Sequence, residues 1–151
     1  MSTSHSAAPR VRVAAIIVRD NQILMVRHEK EGKSYWLLPG GGVDHGETLQ
    51  DALIRELREE VGVEIAVGDL VLANDTIAPD GHRHLLHLCF LAEITGGEPQ
   101  VGTDPRVVEV AFQPAERLHT LSMYPDFGEQ LAQRISLGFR EGPVYLGNLW
   151  R

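Results

Sequence analysis

The chain of 151 residues contains a single cysteine, Cys89, so no disulfide can form within it, and its apolar setting points to a buried thiol. Long apolar runs are missing as well. None approaches the roughly 20 residues of a membrane span, and the N-terminal stretch MSTSHSAAPR has no hydrophobic signal core. A cytoplasmic protein without a membrane partner is therefore expected. Positive charge is scarce: 14 Lys and Arg stand against 21 Asp and Glu, a formal net charge of −7. That balance argues against nonspecific binding of nucleic acid, which needs a basic surface. Aromatic residues make up only 6% of the chain, so an aliphatic core is expected. No repeat or low-complexity linker divides the sequence. Its length suits one domain, expected over residues 10–151 behind a disordered tail over residues 1–9.

What is present is concentrated between Gly41 and Val63, GGVDHGETLQDALIRELREEVGV. Thr48 followed three residues later by Asp51 reads as a capping box, and Gly62 can supply a left-handed residue at the other end, which predicts a helix over Leu49–Val61. At about 100° per residue, Leu49, Leu53, Leu57 and Val61 form the core-facing stripe. Glu60 falls between Leu49 and Leu53, and Glu56 lies at the edge of the stripe beside Ala52. Asp51, Arg55 and Glu59 stand four residues apart and can form a solvated ladder of ion pairs. Glu56 and Glu60 have no Lys or Arg three or four residues away. An exposed like-charge pair costs only about 0.2–0.5 kcal/mol, whereas an unpaired, partly buried carboxylate costs several kcal/mol. Neutralisation by a divalent cation, or a raised pKa suited to a general base, accounts for such a pair. An all-oxygen donor set favours Mg²⁺ or Mn²⁺ over Zn²⁺.

Pro39-Gly40-Gly41-Gly42 precedes this helix, so the backbone there can approach a ligand without obstruction by Cβ atoms. It is not a Walker loop, because no Gly-Lys-Ser/Thr follows. Gly41, five residues, Glu47, seven residues, and then Arg55-Glu56-Leu57-x-Glu59-Glu60-x-Gly62-Val63 resembles the Nudix box of the Nudix hydrolases at every defining position. The match extends to an aromatic residue and Pro-Gly-Gly just ahead of it, Trp36 and Pro39 to Gly41.

The resemblance implies an α/β protein with the Nudix fold, an α/β/α sandwich around a central mixed β-sheet. It also implies a hydrolase that cleaves a diphosphate linkage in a nucleoside diphosphate derivative, using Mg²⁺ or Mn²⁺. On that likeness Glu56, Glu59 and Glu60 would hold metal, with the Gly40 carbonyl as a further ligand. Arg55 would hold a glutamate in place, and Glu47 would support a second metal or its water. The general base would be Glu47, Glu59 or an acid from a later loop. Gly41 and Gly42 would let the backbone meet substrate, and Arg27 would be a cationic phosphate contact.

Elsewhere the chain reads as strands and loops. Arg10–Arg19 and Gln22–His28 flank Asp20-Asn21 as a hairpin, and Arg27 and His28 at its end are candidates to face phosphates. Glu29–Ser34 reads as a charged loop, and Trp36 as a core residue. Val63–Ala66 and Asp69–Ile77 read as strand segments broken by Gly68, and Pro79-Asp80-Gly81 as a loop tip. Pro79 lies sixteen residues after Val63, where some ADP-ribose hydrolases of the resembled family carry proline. His84–Ala92 is apolar on both alternating faces, as in a strand covered on each side. His82, His84 and His87 suggest zinc, but alternation puts His87 on the opposite face from His84. Asp104 and Glu109, with Glu98 behind them, are candidates for a loop acid, and Asp104 is preferred by its offset before the Val107–Phe112 strand.

Pro125 should start a last helix with Phe127, Leu131 and Ile135 as its buried stripe, ended by Gly138. The tail GPVYLGNLWR is too apolar to be left in water. It adds a strand, covers the nucleotide pocket, or is buried in a homodimer. The expected partner is a nucleotide-type small molecule. A second reading keeps the fold as a sensor module that binds a nucleotide without cleaving it, and an intact box counts against that reading.

Overall fold

The computed structural model describes residues 8–150. Its strands are β1 (Arg10–Ile16), β2 (Val18–Arg19), β3 (Gln22–Lys30), β4 (Lys33–Leu37), β5 (Gly40–Gly42), β6 (Glu64–Ile77), β7 (His84–Gly96), β8 (Val107–Pro114) and β9 (Val144–Asn148). The helices are α1 (Leu49–Val61) and α2 (Gly128–Ser136), with a 3-10 turn over Ala115–Thr120 before α2. A five-stranded mixed sheet has the order β5-β1-β7-β6-β9, in which β1–β7 and β6–β9 are parallel. In a second, antiparallel sheet, β8 pairs with one edge of β3, while β2 and β4 share the other.

Alternation along β1 and β3 sends side chains into two cores, as strands covered on both faces require. Val13, Ala15, Leu24 and Val26 join Leu53, Leu57 and Val61 of α1 in one apolar cluster. Ala14, Ile16, Ile23 and Met25 join Phe127 and Leu131 on the α2 side. The α/β/α layering predicted above is thus present, with the sheet layer divided in two. Cys89 is 2% exposed in the second cluster, and burial pushes its thiol up to about 12.

Helix α1 has the predicted bounds. The Thr48 hydroxyl accepts the Asp51 amide at 3.0 Å, and Gly62 takes the left-handed conformation at φ 71°, its amide reaching the Arg58 carbonyl at 3.2 Å. Other boundaries move. The predicted hairpin keeps its turn at Asp20-Asn21, with φ values of 52° and 58°, but its first arm splits after Ile16. Only β2 pairs with β3, while β1 enters the other sheet beside β7. The two segments separated by Gly68 form one strand, β6, with register shifts near Gly68 that absorb the glycine. Helix α2 begins at Gly128, three residues beyond Pro125, with Phe127 and Leu131 buried as expected.

The tail adds a strand. β9 lies parallel to β6, and Val144, Leu146 and Leu149 pack against the second core. Of the three roles expected for the tail, the added strand is the one present, and these side chains are partly buried by their own chain while Tyr145 stays exposed. Among the described residues no helix is long and apolar enough to cross a membrane.

Replacing Leu53, which is fully buried, by Ala should cost roughly 2–5 kcal/mol, and Thr48→Ala about 1 kcal/mol through the lost cap. Both are read as lower urea midpoints at unchanged slope. An unmoved midpoint for Thr48→Ala would show that the cap does not hold α1.

Candidate active site

Antiparallel pairing of β5 with β1 sets the glycines beside helix α1. Gly40 is opposite Ala14, Gly41 opposite Val13, and Gly42 opposite Arg12. A Cβ at Gly40 would lie 2.0 Å from the Val13 carbonyl oxygen, so only glycine allows this pairing. At Gly41 a Cβ would lie 2.3 Å from the Glu56 carboxylate, which occupies the space that the absent side chain leaves. The Gly40 amide donates to Glu60 Oε1 at 2.8 Å, and His28 Nε2 lies 3.4 Å from Glu60 Oε2. Glu60 is 3% exposed. The charge pattern read from the sequence therefore corresponds to a carboxylate inside the protein.

Arg55 joins the other acids. It grips Glu47 with a two-point fork, Nε to Oε2 at 2.7 Å and Nη2 to Oε1 at 2.8 Å. Its Nη1 donates to Glu56 at 2.9 Å and to Glu59 at 3.4 Å, and its Nη2 to the Gly42 carbonyl at 3.1 Å. Of the expected Asp51–Arg55–Glu59 ladder the Arg55–Glu59 rung is present, while Arg55 otherwise turns to Glu47 and to Glu56, which has no cation three or four residues away and finds one next door in the chain. The fork, with the Asp44 amide, holds the Glu47 carboxyl down to about 2. Burial pushes the Glu56 carboxyl up, against the pull of Arg55, and the charges of Glu59 and Glu60 push it further.

Of these groups, Glu47 and Glu60 line a cleft of about 680 Å³. Gly40 to Glu47, Glu60, His28, Tyr35, Tyr124 and Arg83 are among the residues that line it. Glu56 lies behind Gly41, and Glu59 is on the exposed side of α1, its side chain 54% accessible. The loop between β7 and β8 docks on the end of α1, its Gly102 and Thr103 amides meeting the Glu60 and Glu59 carbonyls at 3.0 and 3.1 Å.

Two candidates are placed otherwise than expected. Arg27 turns away from the cleft to bond Glu109 at 2.9 Å and Glu29 at 3.5 Å, because strand alternation aims His28 inward instead. Asp104 is not on the cleft wall; it bonds Arg106 through both oxygens, at 2.9 and 3.2 Å, and it is Arg106 that reaches the cleft. That pairing keeps Asp104 below the usual carboxylate range. The three histidines each have their own partner: His82 bonds Asp80, His84 meets Asp75 at 2.7 Å, and His87 meets Thr76 at 3.1 Å.

Arg12, Arg83, Tyr35 and Tyr124 were not singled out from sequence, although all line the cleft. The available signal was Arg10 and Arg12 at two-residue spacing on one strand face, legible only once β1 is separated from the hairpin.

Among the described residues, no three His, Cys, Asp or Glu side chains already enclose a common point. The donor chemistry nevertheless fits a hard divalent ion. Glu47, Glu56 and Glu59 share one guanidinium, which leaves negative charge in excess, and burial together with repulsion from Glu59 and Glu60 raises the Glu56 carboxyl.

Arg55→Lys keeps the charge but loses the fork. Glu47 should then titrate nearer the ordinary carboxylate range, as read by NMR. Its folded-state pKa of about 2 lies below its unfolded value, so the pairing stabilises the fold above the ordinary range and is lost as pH falls towards 2. In R55K this acid-dependent loss of stability should shrink. An unmoved Glu47 titration would show that the fork is not its cause.

A family model described as NUDIX domain matches residues 8–134. The ADP-ribose pyrophosphatase of Methanocaldococcus jannaschii is 34% identical over 102 residues, 67% of this chain and 60% of that protein. The CTP pyrophosphohydrolase of Escherichia coli is 42% identical over 64 residues, 41% of this chain and 47% of that protein. The alignments thus span less than two thirds of either relative's length. A NUDIX hydrolase from Nitrosomonas europaea is similar in structure, with a TM-score of 0.77 over 91% of this chain and 94% of that one. Its 22% identity speaks for the fold alone. With the box on α1, the glycine strand beside it and a family match over residues 8–134, the chain belongs to the NUDIX domain family.

Proposed function

We propose that this chain is a divalent-metal-dependent pyrophosphohydrolase that cleaves the diphosphate linkage of a nucleoside diphosphate derivative. The observation that carries the reading is Glu60, 3% exposed, fixed by the Gly40 amide on the cleft wall with Glu56 and Glu59 beside it on α1. A buried carboxylate so placed gains most from a cation and an anionic ligand arriving together. The names of the two relatives support the same bond class, since ADP-ribose and CTP both contain a phosphoanhydride joined to a nucleoside.

Glu56, Glu59 and Glu60, with the Gly40 carbonyl, would hold Mg²⁺ or Mn²⁺, which when bound supplies charge neutralisation at the phosphates and a more acidic water. The chain's own groups orient the reaction. The Gly40 amide and His28 hold Glu60, and Arg55 keeps Glu47 and Glu56 apart and aimed. Gly41 and Gly42 leave the backbone open to substrate, and Arg106, steadied by Asp104, adds positive charge at the cleft.

Glu59 is the proton acceptor in this reading, because it is exposed and has only a 3.4 Å contact with Arg55. Glu47 is too weak a base when held at about 2, and its part is to anchor the loop and Arg55.

Glu60→Gln should reduce turnover by orders of magnitude at an unchanged unfolding midpoint. The assay is product formation from nucleoside triphosphates, ADP-ribose, dinucleoside polyphosphates and nucleotide sugars, with Mg²⁺, Mn²⁺ or EDTA. Near-normal turnover in E60Q removes the helix from the mechanism. Calorimetric binding without product across the whole panel favours the non-cleaving module instead.

A further inference from the structure

Beyond the carboxylates, the cleft has a second feature of opposite sign. Strands β1 and β7 run parallel and begin at the same end of the sheet, with Arg10 opposite Leu85 and Arg12 opposite His87. Arg83 immediately precedes β7. This topology gathers Arg10, Arg12 and Arg83 where β5 delivers Gly42 opposite Arg12, and all three line the cleft.

The three arginines lack carboxylate partners among the described residues, whereas Arg19, Arg27, Arg55, Arg58, Arg106 and Arg134 each lie within 4.0 Å of one. Arg117 and Arg140 also have no carboxylate within 4.0 Å among the described residues, but neither lines the cleft; Arg10, Arg12 and Arg83 are set apart by being gathered on it. Arg12 and Arg83 meet neutral groups instead. Arg12 donates to the Leu38 carbonyl at 3.3 Å, and the Arg83 guanidinium lies 6.0 Å from the centre of the Tyr124 ring. The Tyr124 hydroxyl is in turn 3.2 Å from the Thr76 hydroxyl, which fixes the ring against the sheet.

His87 reports on the same charge. It is 2% exposed, its Nδ1 has no partner, and burial followed by the charges of Arg12 and Arg83 pushes it down to about 3. His87, kept neutral by burial, supplies no countercharge to Arg12 and Arg83, and among the described residues no carboxylate lies within 4.0 Å of either guanidinium.

We propose that Arg12 and Arg83, with Arg10 at the rim, form an anion-binding subsite that selects substrates carrying phosphate beyond the cleaved diphosphate, a nucleoside triphosphate in preference to ADP-ribose. This rests on the hydrolase reading for the bond that is cut, but not for the binding itself. Guanidinium groups suit phosphate oxygens because they donate in a planar fork. A divalent ion held by the carboxylates would offset the charge of the diphosphate, and the arginines are placed to take the additional phosphate. ADP-ribose has no third phosphate to offer them.

The test has two arms. In EDTA, calorimetry with inorganic tripolyphosphate as probe should show binding by the unaltered chain, weakened roughly tenfold or more in R12Q and in R83Q, and further in the double variant. With Mg²⁺, both variants should raise KM for CTP or ATP by a similar factor and leave kcat/KM for ADP-ribose within about threefold. The side chains are half-exposed and exposed, so the unfolding midpoints should stay near that of the parent chain. Metal-free tripolyphosphate binding that is absent, or that ignores both substitutions, overturns the subsite. Equal losses on triphosphate and ADP-ribose overturn the selectivity, since the arginines would then hold the shared diphosphate. If no substrate is cleaved while tripolyphosphate binding still needs both arginines, the subsite stands and the hydrolase reading falls.

Discussion

The site depends on one guanidinium. Arg55 bonds Glu47, Glu56 and Glu59 together with the Gly42 carbonyl, and so draws the loop before α1, the helix and the glycine strand to one place. Without that cation the carboxylates would repel each other across a partly dry interface, and the loop that presents Glu47 would lose its anchor. A single positive charge cannot neutralise three negative ones. The arrangement is therefore cohesive and still electrostatically incomplete, which is the condition under which a bound cation adds stability and function together.

Glycine provides the room for this. At Gly40 the backbone lies so near β1 that a Cβ would overlap the Val13 carbonyl, and at Gly41 the missing side chain is replaced by the Glu56 carboxylate. The Gly40 amide is then free to hold Glu60. The glycine strand thus holds Glu56 packed against its helix-facing side while Glu47 and Glu60 reach the cleft beside it.

Charge in this cleft is segregated. Acids cluster on α1 and the loop that leads to it, while unpaired arginines gather where β1 and β7 begin. The first cluster suits a divalent ion and the second suits phosphate, so under the proposed function a cation would compensate the acids and an anionic substrate the arginines. His28, Tyr35, Tyr124 and His87 run between the two regions as a series of edge-to-face rings, with centroids 5.7, 6.2 and 5.8 Å apart. Such contacts favour a fixed mutual orientation and keep the wall in shape.

The amino-acid sequence by itself determined helix α1, because the Thr48 cap, the leucine stripe and Gly62 act within a few residues of one another. It also singled out Glu60, since a carboxylate on an apolar stripe is conspicuous in one dimension. The layered α/β arrangement and the burial of Cys89 were legible for the same reason: periodicity reports which faces are covered. Only the tertiary structure decided that Arg27 faces Glu109 while His28 faces the cleft, that Asp104 steadies Arg106, and that the tail becomes β9. The arginine cluster belongs to this second class as well. Arg12 and Arg83 are 71 positions apart in the chain and meet only because β1 and β7 pair in parallel. Local sequence sets propensity and facing, but which distant strand pairs with which depends on burying both cores at once, and that constraint has no short-range signature.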